Sequence, residues 1–211
     1  MHTEILTVEQ LEILDRVSET GGTPFHLAGG TALGLILGHR KSVDFDFFSN
    51  AEFDVEELYQ EWSRRLPGFR RTRQAPQTLL ATWKTVSVSF FRYRYPEIAP
   101  LIPTPWKFDL VGLEDIAAMK LEAVGGRGSR KDFIDLYFLL QGHFTLEDAF
   151  RFFERKFKGT GYDPYHRLRS LSYFAEADGQ PMPEMFMPAE WTKIKDFFSA
   201  EVRRMWGKPL Q

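Results

Sequence analysis

A change in the spacing of apolar residues divides this chain of 211 residues into two parts. Before residue 95, short segments alternate apolar and polar side chains, which is typical of strands with one buried face. After residue 106, apolar residues recur every three or four positions, which is typical of amphipathic helices. Four prolines lie within 95–106 and exclude a regular helix or a central strand there. We therefore predict an α/β lobe over residues 1–106 and an all-helical lobe over residues 107–211.

The first lobe is predicted to combine a small mixed sheet with helices, in an α+β arrangement. Its strands are predicted over 25–28, 43–48, 78–84 and 86–93, and its helices over 7–20, 32–37 and 54–66. In the second lobe, helices are predicted over 114–124, 130–141, 145–158 and 190–205. Residues 159–188 are rich in proline and glycine, and we predict that they are irregular.

The chain contains no cysteine, which excludes disulfide scaffolds, thiol catalysis and zinc sites built from thiolates. Its first residues lack the basic and apolar regions of a signal peptide. No apolar run approaches the ~20 residues that cross a bilayer. We therefore expect a soluble, cytoplasmic protein that has no membrane partner.

Two short motifs have the composition of a nucleotide site. A Gly-Gly-Thr sequence at 29–31 leads from a predicted strand into a predicted helix, and after twelve intervening residues come Asp44 and Asp46, separated by one residue. Alternate residues of a strand share a face, so the two carboxylates point the same way. Such a pair suits Mg²⁺ or Mn²⁺, and a glycine turn at a helix start presents N–H groups to an anion. Together the motifs predict a site for a metal-bound nucleoside triphosphate.

The segment 27–48, LAGGTALGLILGHRKSVDFDFF, resembles the nucleotidyltransferase signature of the polymerase-beta superfamily. More narrowly, the chain resembles the AbiEii/AbiGii-type toxin family of bacterial toxin–antitoxin and phage-defence systems. A second block supports this resemblance, with Lys120 on a predicted helix and then a K-D-x-x-D sequence at 131–135. The resemblance covers about residues 25–141. It implies a nucleotidyltransferase fold and transfer of a nucleotide from an NTP to an acceptor hydroxyl, such as a tRNA end, by a toxin that a separate antitoxin protein restrains.

The resemblance also implies roles for individual residues. Asp44 and Asp46 match the metal ligands, and with Lys120 and Asp132 they make up the expected catalytic set. Arg40 precedes the aspartate strand, and its charge suits a phosphate. The residues expected to bind the nucleotide are Gly29, Gly30, Thr31, Arg40, Lys120 and Asp135.

One position departs from the superfamily pattern. The superfamily often places a third carboxylate on a neighbouring strand, where it activates the attacking hydroxyl. The matching strand here covers 86–91 and carries Ser87 and Ser89. A serine cannot act as a base at neutral pH. Activation then falls to a metal-bound hydroxide or to another carboxylate such as Asp132, or the activity is weak or lost.

The net charge of −2 conceals a strong segregation of charge along the chain. Residues 1–61 hold three basic and twelve acidic side chains, whereas residues 62–96 hold eight basic and no acidic ones. Aromatic residues are interleaved with the basic ones in 62–96. Such a segment supplies phosphate neutralisation and stacking platforms for RNA. It also suits a triphosphate, or a solvated surface over an aromatic core.

Two other functions fit the same residues. A small-molecule nucleotidyltransferase of the aminoglycoside-modifying kind would share the fold and the metals. A pseudo-enzyme would keep the fold and serve as a binding module, and the serines in place of a third carboxylate favour this alternative. The sequence leaves the transferred base and the acceptor open.

Overall fold

The computed structural model describes residues 1–18 and 24–207 of the chain. The chain folds into two compact units, one formed by Met1–Pro96 with Pro100–Gly112 and the other by Glu97–Ala99 with Leu113–Gln211. The first unit contains the sheet, and the second unit is helical, as the sequence predicts. Across the described part of the chain, no helix combines the length and the apolar character that a membrane span requires.

Five strands form the sheet of the first unit within the described residues. They are β1 (His26–Ala28), β2 (Asp44–Ser49), β3 (Arg70–Ala75), β4 (Thr78–Trp83) and β5 (Val86–Arg92). Their order across the sheet is β1-β2-β5-β4-β3. β2 and β5 run parallel, and the other neighbouring pairs are antiparallel. The predicted mixed sheet is therefore confirmed.

Helices account for most of the remaining described residues. Those of the first unit are α1 (Val8–Ser18), α2 (Gly29–Leu37) and α3 (Val55–Arg65), after a short 3₁₀ helix over Thr3–Ile5. Those of the second unit are α4 (Leu113–Gly126), α5 (Arg130–Gly142), α6 (Leu146–Lys156), α7 (Pro164–Ser170), α8 (Ala175–Asp178) and α9 (Trp191–Met205). Side-chain caps fix several starts: the Asp54 carboxylate accepts the Glu57 N–H at α3, and Thr145 forms a capping box with Asp148 at α6.

Phenylalanine side chains build the core of the first unit on one face of the sheet. Phe47 of β2 stacks on Phe90 of β5, with ring centroids 5.3 Å apart. Trp62 of α3 packs edge-on against Phe90 at 4.7 Å, and Phe108 packs edge-on against Phe47 at 5.4 Å. All four side chains are buried. Because these aromatic rings occupy one face of β2 and β5, the residues between them in sequence are turned to the other face.

Besides the 3₁₀ helix over Thr3–Ile5, three observed elements lie where the sequence predicts none. β3 has the sequence RRTRQA, which lacks apolar alternation because it is an edge strand with mostly exposed side chains. α7 and α8 lie within 159–188, which was predicted to be irregular. α7 does carry a start signal, since the Asp163 carboxylate accepts the Tyr165 N–H and Pro164 occupies the first turn. The helix predicted over 7–20 runs to Ser18, and its last two positions lie outside the described residues.

The two units divide between Gly112 and Leu113, six residues beyond the boundary placed after residue 106. The reason is a set of backbone hydrogen bonds that joins 107–112 to the first unit. The Leu27 N–H donates to the Asp109 carbonyl, and the Val111 N–H donates to the Leu27 carbonyl, each at 2.9 Å. The segment after the prolines thus extends alongside β1 before the helical unit begins.

We predict that Phe90→Ala lowers the free energy of unfolding by about 3–5 kcal/mol, because it opens a cavity between Phe47 and Trp62. Chemical denaturation followed by tryptophan fluorescence measures the change. Phe186→Ala is the matched control, because Phe186 is 46% exposed. A Phe90→Ala protein as stable as the control would contradict the described core.

Candidate active site

The parallel pair β2 and β5 places four short polar side chains side by side. Asp44 is the register partner of Ser87, and Asp46 is the partner of Ser89. All four are half-buried, whereas Phe45 and Val88, which lie between them on their strands, are buried. The two aspartates therefore share one face of the sheet, and the neighbouring strand presents serines at their level. No carboxylate stands among their partners on β5.

The same face continues across the sheet to the edge strand β3. We define the polar face as two rows of register partners: Asp46, Ser89, Leu80 and Arg73 in one row, and Asp44, Ser87, Thr82 and Arg70 in the other. Neighbouring strands lie about 4.8 Å apart, so the strand with the arginines lies about 14 Å from the strand with the aspartates. The polar face is thus acidic on one side and basic on the other, with hydroxyl groups between.

Two glycines at the start of α2 lie against charged side chains. Gly29 has a φ of +68°, and a Cβ there would lie 2.9 Å from Oδ2 of Asp46. A Cβ at Gly30 would lie 2.4 Å from Nη2 of Arg40, whose side chain is buried. A side chain at either position would require Asp46 or Arg40 to shift, and the left-handed φ at Gly29 favours glycine independently. The structure therefore brings Gly29, Gly30, Arg40 and Asp46 together at one end of α2.

The hydroxyl of Thr31 faces the protein. Its Oγ1 lies 2.8 Å from Oγ of Ser42 and also hydrogen-bonds to the carbonyl oxygen of Asp44. A hydroxyl has a single proton to donate, and Thr31 is buried. The sequence predicts that Thr31 binds a phosphate. In the structure its side chain instead joins the start of β2 to α2 and thereby positions Asp44.

The remaining predicted site residues lie in the second unit and form a buried charge cluster. Nζ of Lys120, on α4, lies 3.1 Å from Oδ1 of Asp132 and 2.6 Å from Oδ2 of Asp135, both on α5. Arg127 binds Asp132 through two hydrogen bonds of 2.7 and 2.9 Å, and the Ser129 hydroxyl adds a third of 2.6 Å. Lys120 is only 6% exposed, and both carboxylates are fully buried. The i,i+3 spacing of the two aspartates does place them on one face, as predicted.

The surroundings of Asp132 stabilise its charged form. Burial alone raises the pKa of Asp132, but the hydrogen bonds from Arg127, the charge of Lys120 and the Ser129 hydroxyl outweigh burial and hold the pKa at about 2. The lowered pKa stabilises the fold at neutral pH by about 2 kcal/mol. Because the folded-state pKa is depressed, this contribution is fully present above pH 4 and is lost as the pH falls towards 2.

Half of the basic side chains in 62–96 are neutralised by acidic residues from 1–61. The ion pairs are Arg65–Glu61, Arg71–Glu56, Lys84–Glu12 and Arg92–Glu52. The other four basic residues, which form no ion pair with any residue that the structure describes, are Arg64, Arg70, Arg73 and Arg94. Folding therefore offsets much of the charge segregation, and Arg70 and Arg73 are the arginines of this set that belong to the polar face.

Sequence reasoning missed a second buried ion pair in the helical unit. Nζ of Lys156 lies 2.5 Å from Oδ1 of Asp115, and both side chains are buried. Asp115 also accepts the backbone N–H groups of Ile98 and Ala99 at 3.0–3.1 Å, which ties 97–99 to this unit. The local sequence shows only that Asp115 lies in the first turn of an apolar helix. Its partner Lys156 lies 41 residues away, so the sequence does not indicate the pair. This pair serves the packing of α4 on α6.

Comparison with known proteins shows similarity over almost the whole chain. The family "Nucleotidyl transferase AbiEii toxin, Type IV TA system" matches residues 12–114 and 107–207. A protein of Aquifex aeolicus (strain VF5) that is described as uncharacterized is 35% identical over 212 residues, which cover 94% of this chain and 96% of the relative.

Two solved structures share the fold. One is MenT4, the nucleotidyltransferase toxin Rv2826c of Mycobacterium tuberculosis H37Rv, with a TM-score of 0.62 and 17% identity over 93% of this chain and 82% of that chain. The other is a candidate nucleotidyltransferase from H. pylori, with a TM-score of 0.57 and 14% identity over 97% of this chain and 92% of that chain. At these identities, the two structures support the fold alone.

We predict that Asp132→Asn destabilises the protein by about 3 kcal/mol at pH 7, because it leaves Lys120 and Arg127 without one of their buried anions. The difference from wild type should shrink as the pH falls from 4 towards 2, where the wild-type carboxylate also becomes neutral. Urea unfolding at several pH values measures both effects. A difference that stays constant down to pH 2.5 would contradict the assigned cause of the lowered pKa.

Proposed function

Because the chain belongs to the AbiEii nucleotidyltransferase toxin family of type IV toxin–antitoxin systems, we propose that it transfers a nucleotide from an NTP to an acceptor hydroxyl in a metal-dependent reaction. The observation that carries this proposal is the pair Asp44 and Asp46 on one face of β2, with the glycine turn of α2 against it. The proposed acceptor is the end of an RNA such as tRNA.

The donor set of this pair fits Mg²⁺ or Mn²⁺. Mg²⁺ is commonly held by one or two carboxylates, with substrate phosphates and water completing its shell. In the described residues, no cluster of three or more His, Asp or Glu side chains provides an all-protein metal cage. The Asp44 carboxylate forms no hydrogen bond or ion pair with a described residue, so it is available to a cation. When bound there, the metal would neutralise the charge of the triphosphate.

The start of α2 has the features of a phosphate site. Glycines at 29 and 30 expose backbone at the point where the helix dipole favours an anion. Arg40 supplies a positive charge across Gly30. Thr31 acts through Asp44, whose backbone it holds. We therefore assign Gly29, Gly30 and Arg40 to the phosphates and Thr31 to positioning the metal ligand.

The base that activates the acceptor hydroxyl is not a strand neighbour of the aspartates, since Ser87 and Ser89 occupy those positions. By the resemblance, Asp132 matches the acidic residue of the family's last motif, Asp135 one helical turn on is expected to bind the nucleotide, and Lys120 matches a helical lysine expected near the phosphates. In the described structure Lys120 binds both carboxylates and Arg127 supplies the second positive charge, all within the helical unit. Asp132 is ionised at neutral pH, but a fully buried carboxylate with a pKa of about 2 is a weak base, so we propose that its charge holds Lys120 and Arg127 in place rather than activating the acceptor.

An RNA acceptor suits the charge of the polar face. Arg70 and Arg73 lie on β3 in the same rows as Asp44 and Asp46, and neither side chain has a partner among the described residues. A phosphodiester chain bound by these arginines would run over the serine and threonine hydroxyls towards the aspartates. A small-molecule acceptor would have no use for two cations about 14 Å from the metal ligands. The family assignment further favours a separate antitoxin protein as a partner.

We predict that Asp44→Asn weakens Mg²⁺-dependent NTP binding by about tenfold or more, because it removes one of two charged ligands. Isothermal titration with and without EDTA measures the effect. Asp15→Asn is the matched control, since Asp15 is an exposed carboxylate on α1 in the same unit. Equal Mg²⁺-dependent affinity in wild type and both variants would exclude Asp44 from the metal site.

We predict that Arg70→Ala and Arg73→Ala each weaken binding to single-stranded RNA several-fold and reduce the slope of log K against log [salt] by roughly 0.7. Filter binding at several salt concentrations measures both quantities. Arg64→Ala is the control, because Arg64 is an exposed arginine without an ion pair in the described residues, but on α3. If the control variant loses as much affinity as the other two, the polar face is not the RNA surface.

A further inference from the structure

A cleft of about 290 Å³ lies within the helical unit, apart from every residue assigned to the metal and phosphates. One wall is the turn from α4 to α5, with Val124, Gly125, Gly126, Arg127 and Gly128. The other wall is α7, the turn that follows it and the start of α8, with His166, Arg169, Ser170, Tyr173 and Glu176. Ligand sites for small molecules start at roughly 300 Å³, so the cleft has room for about one nucleotide.

Close packing at one glycine holds the two walls together. A Cβ at Gly125 would lie 2.0 Å from Nη1 of Arg167, so glycine is what lets the Arg167 side chain lie across α4 as observed. Arg167 is anchored there by an ion pair with Glu122 at 2.7 Å, and its guanidinium lies over the Phe153 ring. The cleft is therefore a fixed feature of the packing of α7 on α4.

A second glycine leaves the cleft open. A Cβ at Gly126 would meet no atom within 4 Å, although Gly126 lines the cleft. Its φ is not in the left-handed region, and glycine is among the poorest residues within a helix. Neither backbone conformation nor packing in the structure requires glycine at this position. A larger side chain at position 126 would therefore enter open space at the cleft, since its Cβ meets no described atom.

The side chains of the α7 wall can bind a phosphate and a base. The Arg169 guanidinium forms no ion pair or hydrogen bond with a described residue. The Tyr173 ring, a few residues on, is 62% exposed, and an exposed aromatic ring is a stacking platform for a nucleobase. Glu176, on the same wall, can accept a hydrogen bond from a ribose hydroxyl.

The charge of the cleft selects against a triphosphate. The Arg127 guanidinium is bound to the buried Asp132 carboxylate, and Glu176 offsets Arg169. The lining is thus close to neutral overall, which suits a single phosphodiester better than three or four negative charges.

We propose that this cleft binds one nucleotide of a single-stranded RNA end, with the phosphate at Arg169, the base on Tyr173 and a ribose hydroxyl at Glu176. This inference rests on the proposed function in one respect, which is that the bound RNA is taken to be the acceptor of the transfer reaction. The binding itself requires neither a metal nor Asp44. The cleft would give the helical unit its own contact with the acceptor.

The test uses the full chain in EDTA with a fluorescent single-stranded RNA hexamer, followed by anisotropy. Gly126→Leu should weaken binding about tenfold or more by filling the cleft, with no loss of thermal stability. Gly142→Leu is the matched control, because Gly142 ends α5, is not left-handed and has equally open surroundings outside the cleft. Arg169→Ala and Tyr173→Ala should each weaken binding several-fold, and a DNA hexamer should bind more weakly than RNA.

Wild-type affinity in Gly126→Leu would overturn the proposal, as would equal losses in Gly126→Leu and Gly142→Leu. ATP that competes as well as the RNA hexamer would assign the cleft to a free nucleotide and overturn the RNA commitment. Repeating the titration in an Asp44→Asn background separates this proposal from the proposed function. If the wild-type chain shows no transfer activity but the Gly126→Leu effect persists, the cleft stands and the transferase proposal fails.

Discussion

The parallel pairing of β2 with β5 is the constraint on which the rest of the first unit depends. A strand has only two faces, so burying Phe47 and Phe90 on one of them fixes where every neighbour points. The aspartates are thereby held half-buried on the other face, at the same levels as the serines of β5. If β2 slipped by one residue in its register, the side chains on its two faces would change places, and the carboxylates would be buried against aromatic rings. The hydrophobic core thus specifies the candidate metal site.

The glycine turn depends on that register in a second way. Thr31 hydrogen-bonds to the Asp44 carbonyl, and the Gly29 backbone lies against the Asp46 carboxylate. α2 is therefore joined to β2 at both aspartates. A side chain at Gly29 would meet a carboxylate oxygen in addition to backbone strain. Residues that look like a phosphate-binding motif in sequence also fix, in the fold, the two aspartates of the candidate metal site.

The accuracy of the sequence predictions follows how local each signal is. Alternation within β2 and β5 depends on neighbouring residues, and it placed Asp44 and Asp46 on one face correctly. β3 was missed because an exposed edge strand has no apolar pattern to read. The burial of Lys120 between two aspartates could not be foreseen, since i,i+3 spacing shows that two carboxylates share a face but not what covers them.

Long-range electrostatics were the least predictable feature. The acidic and basic segments of the first unit looked like separate surfaces, yet pairs such as Lys84–Glu12 cancel across 72 residues. The positive charge that can bind a ligand comes from the arginines that form no ion pair with a described residue. Only the strand register shows that two of them, Arg70 and Arg73, lie on the same face as the aspartates. The functional roles of Arg70, Arg73 and the two aspartates stay predictions.

The most direct test is a transfer reaction with α-labelled NTPs, total RNA and a set of small alcohols, with and without Mg²⁺. The account predicts that label enters RNA, that EDTA abolishes the transfer, and that the alcohols stay unlabelled. Label in the alcohols alone would identify a small-molecule nucleotidyltransferase. No label in any acceptor, with any NTP and with either Mg²⁺ or Mn²⁺, would contradict the central claim and leave a binding module built on the nucleotidyltransferase fold.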